Sequence, residues 1–536
     1  MTHIFIFNNA SRAANYGIGT YVRQLSEGLS AMTETKVSLV EMYADTKEFA
    51  ISDDENGIRH YLIPPSYSGI ENEVYCRIIF YFLARIIDVG DDDKIVFQFN
   101  YFQHYPLALL FKAWYFNCSI VLTVHYMNWC FELNGNVRRM RELTAEGHES
   151  PDDAERQIVS SFANEKLFLH LSDMVLALSK NTKDILVDDY KVMPGKIHLV
   201  YNGIGTKTCR NKANTRIILY VGRLEKGKGV KYLIDAFAQI AERHSDSNLV
   251  IVGDGDFQPY MAQSRKLLRR IAFFGKMQKD EIEDVYQSAY IGVMPSFHEQ
   301  CSYTVIEMMR HGLPIIGTNA IGLGEMLEAT PNLRVSINGD DFDEEDFISQ
   351  IALRLDLLLS DDTAYQKASE AVSRQYKERY TVTAMMQGVH EAALALHVNY
   401  RSPVSLDYLP HMDNQMVALI NKQPDIDTDF YGISGMGVYL WWRVLQQETG
   451  DAVDTDNLDM IKEHLIYYLD WVGEVAESEP FPVELYETLV SMREHSFYPT
   501  KVEKLLRLGK VTGKSTHFPS DQEILHNALK ICACKI

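Results

Sequence analysis

The sequence predicts an α/β protein: two successive parallel-sheet domains with a hinge between them, followed by an all-helical module. Three observations predict it. Short β-branched or aromatic runs alternate with amphipathic stretches through the first 200 residues. The alternation pauses at a polar linker, Tyr201–Arg216, and then restarts. Beyond Arg401 the strand signal stops, and apolar residues recur at helical spacing, as at Leu458, Ile461, Leu465, Leu469 and Val472.

In the first domain the expected strands are Ile4–Phe7, Val37–Met42, Ile95–Phe99, Ile120–His125, Met174–Leu178 and Ile197–Val200. Each is a short apolar run suited to a strand buried on both faces. The second set comprises Ile217–Gly222, Leu249–Gly253, Ile271–Gly275, Ile291–Ser296 and Pro314–Gly317. Thr381–Val398 reads as a closing helix after the acidic loop Gly339–Asp346, with the last helix free to cross back to the first domain. The expected boundaries are therefore 1–200, 201–398 and a helical module over 401–536. That module carries 12 Lys/Arg against 21 Asp/Glu.

Composition narrows the function. The 536 residues include 52 Lys/Arg and 73 Asp/Glu, a net charge of −21, which argues against a nucleic-acid partner because phosphate contacts need clustered cations. Seven cysteines are scattered with no CxxC pair, which disfavours a zinc ribbon or dithiol redox site. Asp425, Asp427 and Asp429 mimic the start of a calcium loop, but Phe430 replaces its turn glycine, and Cys532 and Cys534 lack located partners; no metal or cofactor is expected. The opening MTHIFIFNNASR lacks a basic-then-apolar leader, and the uncharged Ala113–Phe131 stretch is broken by Asn117, Ser119, Thr123, His125 and Asn128, so the expected compartment is the cytoplasm.

Four segments carry candidate chemistry. Gly17 and Gly19 lie between the first strand and a helix expected from about Thr20, and fit either a backbone approach to a ligand or a plain turn. Arg223 leaves a strand end and Lys228 follows five residues later, a pair able to converge on one multivalent anion. Gly253-Asp254-Gly255 is a turn that admits a nucleotide or is simply a turn. Met294–Pro314 reads strand, loop, helix from about Ser302, with Gly312 as its stop. Glu299 precedes that helix, the N–H groups near Cys301, Ser302 and Tyr303 open it, and Glu307 lies farther along it.

In this order the segments resemble the retaining, family-four (group 1) glycosyltransferases of the GT-B fold, from about Ile4 to Leu396. The resemblance implies two Rossmann-like domains facing a cleft, with a nucleoside-diphosphate sugar as substrate in the second domain. It implies that Glu299 contacts the donor sugar, Glu307 the ribose, and Arg223 with Lys228 the diphosphate. It also places His125, after an N-domain strand, at the sugar; by itself His125 reads as a core or loop histidine. Glu325 in HGLPIIGTNAIGLGE falls near the end of the implied site. The chain departs from the pattern where Gln300 and Ser302 replace loop glycines, Tyr290 stands for a common Asp, and Gly205 for another. Gly432–Gly437 faintly resembles a glycine motif of lanthionine-synthetase C-like repeats, from which no activity is carried over.

The implied reaction is metal-independent sugar transfer with retention to a glycan, lipid-linked or peptide acceptor. Two other readings stay open: a GT-B nucleotide-sugar epimerase or phosphorylase, and a non-catalytic scaffold that activates a partner. The helical module is the expected surface for a peripheral membrane contact, a protein partner or self-association.

Overall fold

The computed structural model describes residues 1–10, 17–46, 49–65, 93–115, 118–145, 147–148, 150–206, 216–337, 342–396 and 483–508, with scattered residues between 72 and 87 and between 438 and 481. The calcium-loop mimic, Gly432–Gly437, Cys532 and Cys534 lie outside the described residues.

The N-terminal sheet contains β1 (Thr2–Asn9), β2 (Thr35–Met42), β3 (Ala50–Asp53), β4 (Arg59–Leu62), β5 (Lys94–Phe99), β6 (Cys118–Val124), β7 (Met174–Ala177) and β8 (Ile197–Leu199). Their order is β3-β4-β2-β1-β5-β6-β7-β8. Only β3 runs antiparallel to its neighbour. The second sheet contains β9 (Arg216–Val221), β10 (Ser247–Val252), β11 (Ile271–Phe274), β12 (Ile291–Met294), β13 (Ile315–Thr318) and β14 (Arg334–Val335), in the order β11-β10-β9-β12-β13-β14. It is wholly parallel. The expected α/β class stands. The expected strands are present, and β3, β4 and β14 are additions. β3 is largely exposed along its length, so it lacks the apolar run that reveals a buried strand.

Strand order fixes where a ligand can sit. The strand order of the first sheet reverses between β1 and β5, and that of the second between β9 and β12, and a crevice opens at the carboxyl ends of strands beside such a switch point. Helices cover both faces, which is why the central strands are apolar throughout: Phe5, Ile6 and Phe7 of β1 are completely buried. Phe97 stacks on Phe111 with centroids 4.2 Å apart and contacts Phe5 at 5.6 Å.

Several contacts tie the domains together. The segment after β8 pairs with the start of the helix Val382–Ala395: Ile204 N–H donates to Tyr380 O at 3.1 Å, and Val382 N–H to Ile204 O at 3.0 Å. That helix then packs on Gly17–Ser30, where a Cβ added at Gly28 would stand 2.4 Å from the Met386 sulfur. The described part of the helical module includes Val483–Glu494 and Pro499–Leu508. Its buried Trp442, Tyr468, Leu485 and Leu489 belong to the same hydrophobic cluster as Phe5, Phe97 and Phe111. Among the described residues, no helix is long and apolar enough to cross a membrane.

One buried carboxylate lies within the first domain. Glu165, in the helix Asp153–Leu171, is 1% exposed. It accepts a 2.6 Å hydrogen bond from Asn128 N–H and another from the Tyr190 hydroxyl, itself 3.2 Å from Trp129 Nε1. Burial pushes the Glu165 carboxyl up to about 7, and the two hydrogen bonds only partly oppose it. Because its pKa is higher folded than unfolded, its stabilising contribution is full below the unfolded value and is lost as pH rises through 7. Glu165→Gln removes that titration. Relative to wild type, the variant should gain roughly 2–3 kcal/mol between pH 5 and pH 8. Denaturant unfolding of both proteins across this range checks it; parallel pH profiles would refute the assignment.

Candidate active site

A cavity of about 540 Å³ lies between the two sheets at both switch points. From the first domain come Asn9 at the end of β1, Tyr101 after β5 and His125 after β6, together with Gly17. From the second come Gly222, Arg223 and Lys228 after β9, and Glu299 through Thr304 after β12.

Lys228 and Glu299 form its electrostatic centre. The ammonium is 2.6 Å from Glu299 Oε1, and the side chains are 15% and 16% exposed. Burial by itself would raise the Glu299 carboxyl, but the charge and hydrogen bond of Lys228 reverse this and hold it below the usual carboxylate range. Arg223 Nη1 lies 2.9 Å from Glu225 Oε1 on the more open side. The two cations expected to converge on an anion thus line one cavity, each beside a carboxylate.

The helix Tyr303–Arg310 starts at this cavity with Ser302 as its N-cap. Its first N–H groups have no acceptor within the helix and mark the positive end of its dipole. No side-chain oxygen caps them. Cys301, Ser302, Tyr303 and Thr304 all line the cavity. Burial pushes the Cys301 thiol up to about 12, so it is not a nucleophile at neutral pH. Gly17 faces the same helix across the cleft: a Cβ there would touch Tyr303 Cδ2 at 3.7 Å.

His125 is held in a defined state. Its Nε2 lies 3.0 Å from Asn100 Oδ1, and Asn100 Nδ2 in turn donates to Phe7 O, which fixes the amide. A carbonyl oxygen accepts, so the proton is on Nε2 and Nδ1 remains an acceptor. Burial lowers the imidazole to about 3, so it is neutral. Tyr21 meets the ring edge-on at 4.6 Å.

Three expected residues lie elsewhere. The helix expected from Thr20 already includes Gly17, so Gly19 sits in its first turn and does not line the cavity. Gly253 is also outside the lining; φ is +148°, and an added Cβ would stand 1.8 Å from Gly222 O. Its lack of a side chain lets the loops after β9 and β10 touch. Glu307 is not part of the lining; its Oε2 accepts from the Tyr286 hydroxyl at 2.7 Å.

Glu325 is likewise displaced from the cavity to the domain junction. It accepts a 2.7 Å bond from Lys180 N–H, at the N-terminus of the helix Lys180–Asp188, and another from the Tyr201 hydroxyl. Nearby, Gln300 accepts from the Thr182 hydroxyl, and Asn202 Nδ2 donates to Cys301 O at 2.7 Å. Gln300, which stands where the family pattern has a glycine, therefore joins the two domains. Asn202 and Asn100 are not legible in the sequence because each acts through a contact with a distant segment.

A larger neighbouring cavity of about 1080 Å³ is lined by Asn134, Lys226, Tyr232, Tyr260 and Phe297 among others, and none of the expected site residues faces it. Among the described residues, no three His, Cys, Asp or Glu side chains gather where they could hold a metal ion.

Residues 16–208 match Glycosyltransferase Family 4, and residues 215–356 match Glycosyl transferases group 1. Sucrose-phosphate synthase from Thermosynechococcus elongatus superposes with a TM-score of 0.59 at 19% identity, covering 74% of this chain and 99% of that one. The fold is that of the GT-B glycosyltransferases. Anabaena HepE, solved with UDP and glucose, gives a TM-score of 0.53 at 16% identity, over 74% of this chain and 100% of HepE. In sequence, an uncharacterised glycosyltransferase of Methanocaldococcus jannaschii is 31% identical over 189 residues, 32% of this chain and 48% of its own length. Glycogen synthase of Mycobacterium tuberculosis is 24% identical over 249 residues, 45% of this chain and 58% of its own length. The chain thus spans about half the length of these two relatives. In GT-B terms the cavity lies in the interdomain cleft.

Proposed function

We propose that this GT-B protein transfers a sugar, with retention, from a nucleoside-diphosphate donor to an acceptor hydroxyl. The observation that carries the proposal is the single cavity shared by the Lys228–Glu299 pair, Arg223 and the N-terminus of Tyr303–Arg310. A diphosphate is the anion that suits two cations and a helix N-terminus together.

The chemistry follows from that arrangement. The bond between the donor's anomeric carbon and the diphosphate oxygen breaks, and the acceptor oxygen bonds to the same face of that carbon. The acceptor proton passes to the leaving phosphate oxygen, and no enzymic nucleophile is required. Arg223, Lys228 and the helix N–H groups stabilise charge accumulating on the leaving group. Glu299 accepts from donor-sugar hydroxyls, and neutral His125 accepts through Nδ1. The acceptor lies against the first domain and is a glycan, lipid-linked or peptide hydroxyl.

Two measurements test this. A thermal-shift panel of nucleotides and nucleotide sugars should show saturable stabilisation by one donor class. Proton NMR of early product should then show the donor's own anomeric configuration, with turnover persisting in EDTA because fixed cations carry the charge. Inverted product would overturn retention, and loss of turnover restored by manganese would overturn metal independence.

A further inference from the structure

His298, directly before Glu299 in the chain, lines the cavity, and no role has yet been given to it. Neither ring nitrogen has a hydrogen-bond partner, although both are buried from solvent. Two orphaned polar atoms on one buried ring are costly unless something else satisfies them. The ring is firmly placed: Phe131 meets it at 4.8 Å and 88°. Gly135 and Gly227 pack beside it: a Cβ at Gly135 would stand 3.3 Å from His298 Cβ, and one at Gly227 at ordinary contact distance, 3.6 Å, from Cε1. Burial, assisted by Lys228, lowers the imidazole to about 4. It therefore offers one N–H donor and one bare nitrogen acceptor, the complement of a hydroxyl group.

We propose that His298 hydrogen-bonds a hydroxyl of the donor sugar and so determines which hexose the site accepts. The proposal rests on the donor-site reading above. The position directly before Glu299, the residue read above as accepting from the donor-sugar hydroxyls, favours the donor sugar over the acceptor. On this reading the ring serves the sugar, and the leaving group is held by Arg223, Lys228 and the helix N–H groups. It therefore contributes to sugar affinity and leaves diphosphate affinity alone.

The test compares, by calorimetry, bare UDP and GDP with UDP-glucose, UDP-galactose, UDP-N-acetylglucosamine and GDP-mannose. For the donor that wild type prefers, the sugar should add an increment of affinity over its own diphosphate. His298→Phe keeps a flat ring against Phe131 but cannot hydrogen-bond, and it should lose about tenfold of that increment with diphosphate affinity unchanged. His298→Asn, which keeps a donor and an acceptor, should restore part of it. An unchanged increment in His298→Phe would overturn the proposal and assign the hydroxyl, if any, to the acceptor. Equal losses in Phe and Asn variants would overturn it in favour of packing. Wild type that binds none of the six compounds would overturn the donor-site reading itself, a different failure.

Discussion

Lys228→Ala lowers turnover of the cognate nucleotide sugar by about 10²–10³-fold, the loss expected when a preorganised group facing developing charge is removed. The substitution acts twice. It takes a cation from the diphosphate, and it strips Glu299 of the partner 2.6 Å away that offsets the carboxylate's burial. Glu299 then protonates more readily and donates where it should accept. Glu299→Gln should give a comparable fall in turnover but a smaller loss of bare diphosphate affinity, because Lys228 survives. Lys226→Ala, two residues away and exposed, serves as the control and should change turnover little. Steady-state kinetics on the three variants checks the series. Near-wild-type turnover in Lys228→Ala would remove the pair from the mechanism.

Gly253→Ala should destabilise the protein by about 1–3 kcal/mol, the range for steric insertion into a packed site. Its Cβ would stand 1.8 Å from a backbone oxygen, Gly222 O, which cannot rotate away as a side chain can. The backbone φ of +148° adds strain for any residue with a Cβ. Relief requires the loop carrying Gly222 and Arg223 to move, so diphosphate affinity should fall with the melting temperature. Gly275→Ala is the contrast: an added Cβ there meets nothing within 4 Å, and the melting temperature should hardly change. Scanning calorimetry on both variants decides. Equal melting temperatures would show that the two loops separate freely.

The strands were readable because a parallel sheet covered on both faces needs short, wholly apolar runs, and Ile4–Phe7 or Ile120–Val124 cannot be mistaken for a polar surface. β3 and β14 were not, because one is exposed and the other spans two residues. Site residues within one loop–helix segment, such as Glu299 and Ser302, were legible because a strand end and helix start place them together whatever else the chain does. Pairings across segments were not. In sequence Gln300 reads as a replaced loop glycine, whereas Thr182, 118 residues away, donates to it. Motif order puts Glu325 near the end of the site, whereas Lys180 N–H and Tyr201 hold it at the domain junction. Gly253 drew a ligand reading from its turn motif, and only the contact with Gly222 O shows that its missing side chain serves backbone packing.

The central claim, that Arg223 and Lys228 bind the diphosphate of a nucleotide donor in the interdomain cavity, is tested most directly by calorimetric titration of UDP, GDP and ADP into wild type and the Arg223→Ala, Lys228→Ala double variant. Circular dichroism run alongside establishes that both are folded. Losing two charge-assisted contacts should weaken binding of the preferred diphosphate by about 10²-fold or more. Wild type should bind one diphosphate saturably and the folded double variant should show that loss; undiminished binding by the double variant, or no binding of any diphosphate by wild type, would contradict the account.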